Sequence, residues 1–183
     1  KDIQVAHQVN EDVIRNIYHD LGDRYIGILY GSFMKLNNGD IKIIEYNCRF
    51  GDPECINVLS LLKTNLLDIF YHMTQVSLDT RDIIWENKFT ICKYLVPEGY
   101  PSNPLRYVDI SFDSQLNMEL AGDFESIIYG SVTKFAEGNM QLMGSRSIAV
   151  IGKGDTMKEA FSHVENMIEK IHGPLFYRKD IGL

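Results

Sequence analysis

In the stretch Ile43-Ile44-Glu45-Tyr46-Asn47-Cys48-Arg49-Phe50-Gly51-Asp52-Pro53-Glu54, a β-branched and aromatic run passes directly into a turn-forming Gly-Asp-Pro. That is the pattern of a strand ending on a loop. Upstream, residues 25–36 read as a second strand, and Asn37-Asn38-Gly39-Asp40 between the two is an Asn-Gly turn. Residues 25–36 and 41–48 are therefore expected to form a hairpin. On a strand, side chains two apart share a face. Glu45 and Asn47, with Arg49 if the strand runs on, point one way; Tyr46 and Cys48 point the other. Cys48 then reads as a small buried apolar residue. A carboxylate beside an amide oxygen suits a hard cation such as Mg²⁺, which takes oxygen ligands and keeps some waters. A guanidinium two residues on can hold a phosphoryl oxygen by two hydrogen bonds. The same residues also have a plain reading. Charged groups on the polar face of a hairpin strand are usually solvated. Asp52-Pro53-Glu54 reads as a helix start, with Asp52 as cap and Pro53 as first residue.

Outward from the hairpin, Val13, Ile17 and Leu21 recur four apart, so residues 10–21 are expected to be helical, with Asn10 as cap. Residues 54–63 and 65–75 read as two more helices, the second carrying Leu66, Ile69, Phe70 and Met73. The character changes across residues 78–90. A strand follows over Phe89–Val96, then the turn formers Pro97-Glu98-Gly99-Tyr100-Pro101. The segments 125–135 and 140–151 read as antiparallel strands around the turn Ala136–Asn139. Residues 156–172 are the clearest helix: Met157, Ala160, Phe161, Val164, Met167, Ile168 and Ile171 make one stripe. Asp155 or Thr156 caps it and Gly173-Pro174 stops it. Gly152-Lys153-Gly154 is too short for a phosphate loop and reads as a strand-to-helix turn. A boundary is placed near residue 86, and the class is α+β.

Composition excludes some functions. With 45% hydrophobic residues in 183, burying a core is no difficulty. A formal charge of −7 argues against nucleic acid or an anionic membrane as the main partner. Cys48, Cys55 and Cys92 form no CxxC pair, which points to a reducing compartment and no structural zinc. No apolar run nears the roughly 18 residues of a membrane span, and no signal peptide is expected. The start at Lys1, without methionine, reads as a cut within a longer protein. The histidines, His163 and His172 included, read as surface or helix-end residues.

Glu45-Tyr46-Asn47-Cys48-Arg49-Phe50-Gly51-Asp52-Pro53-Glu54 resembles the signature of the phosphoribosylamine–glycine ligases (glycinamide ribonucleotide synthetases), ATP-grasp enzymes of purine synthesis. Tyr25-x-Gly27-x-Leu29-Tyr30, Glu98-Gly99-Tyr100-Pro101 and the closing Tyr177-Arg178-Lys179-Asp180-Ile181-Gly182 are similar to further family motifs, in the right order over nearly the whole chain. The resemblance implies the carboxyl-terminal part of an ATP-grasp domain over residues 1–86 and a small mixed antiparallel-sheet and helix domain over 87–183. It implies that Glu45 and Asn47 are ligands of Mg²⁺ or Mn²⁺ and that Arg49 is a catalytic residue near the acyl phosphate, the three together holding ATP. It also implies glycine and 5-phosphoribosylamine as the other substrates, the missing amino-terminal lobes of the same protein as partners, and a cytoplasmic location. The rivals are a non-catalytic module derived from that enzyme and an ATP-grasp carboxylate–amine ligase of other specificity. The chain departs from the family where Gly130-Ser131-Val132-Thr133 replaces the usual His-Ala-Gly-Thr. It departs again where Gly144-Ser145-Arg146-Ser147-Ile148 replaces Gly-Gly-Arg-Val-Leu.

Overall fold

A computed structural model describes residues 2–113, 125–134 and 140–183. The expected turn at Ala136–Asn139 lies outside the described residues. The chain divides into two compact units, one of residues 1–55 and 62–84, the other of 56–61 and 85–183.

In the first unit α1 (Asp2–Leu21) precedes an antiparallel hairpin of β1 (Tyr30–Lys35) and β2 (Ile41–Asn47). The helix begins at Asp2 and not at Asn10. No glycine or proline interrupts the run, and a helix once nucleated propagates readily. Asn10 is therefore no cap. It sits mid-helix, where its Oδ1 accepts a hydrogen bond from the Tyr46 hydroxyl at 3.0 Å. Tyr46 thus faces α1, and the Phe33 ring meets it edge-on at 6.4 Å. Gly31 pairs with Tyr46. A Cβ there would lie 2.7 Å from the Phe33 ring, 2.8 Å from Asn10 Oδ1 and 2.9 Å from the Tyr46 ring; only glycine fits this close approach. β1 starts at Tyr30, later than expected, because the Tyr25 hydroxyl donates to the Ile28 carbonyl at 2.7 Å and ties residues 25–28 into a local loop.

Two short helices follow, α2 (Glu54–Leu59) and α3 (Leu66–Thr74). Pro53 lies before α2, joined to Asp52 by a cis peptide bond, so the expectation of Pro53 as its first residue is corrected. Asn65 caps α3, its Oδ1 accepting from the Leu67 N–H at 2.8 Å. Phe70 of α3 lies 6.5 Å from Phe50, ring centre to ring centre.

The second unit contains β3 (Phe89–Pro97), β4 (Asp109–Phe112), β5 (Glu125–Tyr129), β6 (Val132–Lys134), β7 (Met140–Leu142), β8 (Ile148–Gly154), α4 (Met157–Ile168), β9 (Ile171–His172) and β10 (Leu175–Phe176). Among the described residues the strands form two sheets, ordered β10-β3-β8-β5 and β6-β7-β4-β9, with antiparallel pairing. The α+β class is as expected, but two expected strands divide. The chain changes sheets at Gly130, between β5 on β8 and β6 on β7. Residues 140–151 belong likewise to β7 and β8. Gly152-Lys153-Gly154 ends β8 and is no turn. α4 stops at Ile168, because Ile171 and His172 pair with Phe112 and Ser111 of β4. Thr156 is its cap, accepting from the Glu159 N–H at 3.2 Å.

The core lies against both faces of β3 and β8. Ile91, Leu95, Ile148 and Val150 pack on Ala160, Val164, Met167 and Ile168 of α4. Cys92, Ala149 and Ile151 on the other face form a second cluster with Ile56, which groups residues 56–61 with this unit. Lys93 lies between Ile91 and Leu95 and is fully buried. Its Nζ donates to Glu165 Oε1 at 2.7 Å and to the Lys179 carbonyl at 3.2 Å, and the Tyr177 hydroxyl donates to Glu165 Oε2 at 2.9 Å. The closing Tyr177–Gly182 motif is thereby docked on its own unit. Among the described residues no helix is long and apolar enough to cross a membrane.

Candidate functional site

The side chains of interest sit on β2 and the bend that follows it. Glu45 and Asn47 share a face, with Asn47 Nδ2 donating to Glu45 Oε1 at 2.9 Å. Glu45 is exposed and Asn47 half-buried. The register shifts between Ser32 and Phe33, which pair with Glu45 and Ile43. Ile44 is the extra residue of a β-bulge. Beyond the bulge Tyr30 stands opposite Asn47. Directly paired residues of an antiparallel ladder share a face, so Tyr30 and Ser32 line the face of Asn47 and Glu45. Burial, then the neighbouring Glu54 carboxylate, push the Tyr30 phenol above the ordinary tyrosine range.

Arg49 is placed differently. The strand ends at Asn47, and Cys48 and Arg49 occupy a bend. The alternation that aligns Glu45 with Asn47 stops there. Arg49 is exposed, and its Nη1 donates to the Phe50 carbonyl at 2.7 Å. Cys48 is exposed as well, so the expectation that it is buried is corrected: the bend turns it out of the face that Tyr46 packs on α1. Glu45 and Asn47 are brought together; Arg49 is carried next to them on a loop, with its guanidinium on its own backbone.

The donor set fits a hard divalent cation. Glu45 and Asn47 offer two oxygens once the amide turns its Oδ1 outward. Among the described residues no three His, Cys, Asp or Glu side chains gather to hold a metal. Two protein oxygens suffice for Mg²⁺, which keeps waters and takes further ligands from phosphates; a zinc site needs more protein ligands.

Sequence reasoning did not place Tyr30 on this face. Counting back from the Asn37–Asp40 turn without a bulge sets Tyr30 opposite Tyr46, on the wrong face. Only the inserted residue moves it. In the second unit the two stretches that depart from the family lie together. The Gly130 N–H donates to the Ser147 carbonyl and the Ser131 N–H to that of Arg146, each at 2.8 Å. The Arg146 guanidinium stands 5.7 Å from the Tyr94 ring centre. His163 and His172 have local partners, the Lys153 carbonyl and Asp113, each at 2.8 Å.

Comparison with known proteins gives this arrangement its class. Residues 2–55 match the ATP-grasp (A) domain of phosphoribosylglycinamide synthetase, and residues 90–183, more than half of the chain, match the C domain of the same enzyme. The chain belongs to the phosphoribosylglycinamide synthetase family. It is 41% identical over 182 residues to the phosphoribosylamine–glycine ligase of Methanosarcina barkeri, covering 100% of this chain and 40% of that protein. The Pyrococcus abyssi enzyme of the same name is 41% identical over 182 residues, with 100% and 39% covered. The crystal structure of phosphoribosylamine–glycine ligase from Thermotoga maritima superposes with a TM-score of 0.73 at 26% identity, covering 89% of this chain and 39% of that one. The chain thus spans about 40% of the length of the curated relatives it matches.

Proposed function

We propose that the chain is the carboxyl-terminal part of an ATP-dependent, ADP-forming ligase that joins 5-phosphoribosylamine and glycine to glycinamide ribonucleotide in cytoplasmic purine synthesis. The observation that carries this is the Glu45–Asn47 pair, held 2.9 Å apart on one face of a bulged hairpin, inside the segment that matches the family's ATP-grasp domain. On this reading residues 1–86 complete one lobe of that domain with amino-terminal lobes of the same protein, and residues 87–183 form its carboxyl-terminal domain. ATP phosphorylates the glycine carboxylate, and the amine of phosphoribosylamine displaces phosphate from the acyl phosphate, leaving ADP and phosphate. No protein nucleophile is required. Glu45 and Asn47 would hold Mg²⁺, which when bound neutralises phosphate charge. Arg49, freed from the Phe50 carbonyl, would turn to the transferring phosphoryl group and strengthen its contact as charge develops.

The test is Glu45→Gln in the full-length protein, which keeps the side chain's shape and removes its charge. Half-saturating Mg²⁺ is expected to rise and turnover to fall. Unchanged magnesium demand and turnover would refute the site. The departures that meet at Gly130–Ser131 and Arg146–Ser147 favour a second reading, a non-catalytic module. A full-length protein that binds Mg-ATP but never forms ADP would establish it.

A further inference from the structure

The first unit has almost no core. Among its described residues only Gly51 and Ile69 are buried, whereas both hydrophobic clusters belong to the second unit. α1 buries no residue along its 20 positions, and neither strand of the hairpin does. A two-stranded hairpin needs further strands or a covered apolar face to be stable. The uncovered apolar groups of α1 are ordered. Ile3, Ile14, Tyr18 and Leu21 fall on one side of a helix of 3.6 residues per turn, next to the side from which Asn10 reaches Tyr46. Ile3 is 85%, Tyr18 54% and Leu21 76% exposed. Beside this stripe lies a groove of about 680 Å³, between Asn10, Glu11 and Ile14 of α1 and Tyr25, Gly27 and Leu29 of the loop that follows. The charges at its rim are matched within the helix: His7 lies 3.4 Å from Glu11, and Arg15 3.0 Å from Asp12. With those charges matched, an apolar chain segment suits the groove better than an ionic ligand does.

We propose that the stripe of Ile3, Ile14, Tyr18 and Leu21, with the groove beside it, seats an apolar segment from the amino-terminal part of the same protein, which thereby completes the core of the first unit. The proposal rests on the reading above only in giving the chain such a continuation, not on its chemistry. Two observations choose this occupant. The chain spans 40% of the Methanosarcina barkeri relative, and α1 begins at residue 2, where the match to the ATP-grasp (A) domain also begins. A continuation joined to α1 meets the groove intramolecularly, at an effective concentration on the order of millimolar, whereas a second copy has to be recruited from solution.

The experiment introduces Tyr18→Cys, Leu21→Cys and His19→Cys singly into the full-length protein. The His19 side chain is 87% exposed and lies on the opposite side of α1, so it is the reference. Alkylation by iodoacetamide is followed at each position by mass spectrometry over a wide range of protein concentration. The thiols at positions 18 and 21 are expected to react about 10-fold more slowly than the one at 19, or slower still, at every concentration. Equal rates at the three positions would overturn the proposal, because the stripe would be bare. Protection that appears only at high concentration would overturn it too, since a second copy would then cover the stripe. Leu21→Ala supplies a readout that needs no new thiol. Truncating a covered leucine should speed hydrogen exchange of the α1 amides about 10-fold or more; an exposed position would show no loss, since alanine is the better helix former. Glu45→Gln is assayed alongside. Reactive thiols with Glu45→Gln impaired would remove the docking and leave the ligase site, and protected thiols with Glu45→Gln silent would sustain the docking while the ligase reading falls.

Discussion

Glu165→Ala is expected to loosen the second unit by about 3 kcal/mol, through a cation it leaves behind. Lys93 is fully buried on β3, whereas the Glu165 side chain is 28% exposed. Removing one partner of a buried ion pair costs about 3–5 kcal/mol, mostly for the charge left without its mate. The partial exposure of Glu165 places this pair at the lower end. The ammonium keeps the Lys179 carbonyl at 3.2 Å and the Phe161 ring, 4.3 Å from its centre. Tyr177 loses the acceptor of its hydroxyl at 2.9 Å. That adds at most about 1 kcal/mol, within the spread of the ion-pair figure. Native-state hydrogen exchange of the Ile91–Val96 amides is the assay, because it reads the stability of this sheet apart from the rest of the protein. Protection should fall roughly 100-fold, since about 1.4 kcal/mol is a factor of ten. The double variant Lys93→Met, Glu165→Leu should recover most of it, as an apolar replacement of a buried pair often does. A loss below about 0.5 kcal/mol in Glu165→Ala would refute the reasoning, because it would mean that the ammonium finds water.

Arg49→Ala in the full-length protein should lower turnover by roughly 10²–10³-fold with a smaller change in ATP affinity, as for other lost transition-state donors. If the guanidinium serves only its bond to the Phe50 carbonyl, the loss is at most about 1 kcal/mol of stability with turnover unchanged, and kinetics beside a melting curve separates the two. The isolated 183-residue chain should release no ADP above background from ATP, glycine and phosphoribosylamine, because one lobe cannot enclose the triphosphate and exclude water; robust turnover by it would contradict the proposed division of labour.

What could be seen in the sequence alone rests on local physics. The Asn-Gly turn announces a hairpin because few residues tolerate the required backbone. Glu45 and Asn47 share a face because a strand has a period of two, and the folded hairpin keeps them there. The α4 stripe of Ala160, Val164, Met167 and Ile168 is buried as its spacing implies. What failed depended on partners distant in the chain. Ile171 completes the same apolar stripe, yet it enters the core from β9, since pairing with Phe112 outcompetes another helical turn. Residues 125–135 look like one strand and are two, because each half finds its ladder in a different sheet. Lys93, a charge in an apolar strand, is explained only by Glu165, 72 residues away. At the site, the sequence by itself determined the pair on β2. Tertiary structure decided which residues surround it. The single bulge between Ser32 and Phe33 changes the parity of the hairpin, and in a ladder of period two one inserted residue exchanges every side chain between faces. That is why Tyr30, and not Leu29, stands opposite Asn47.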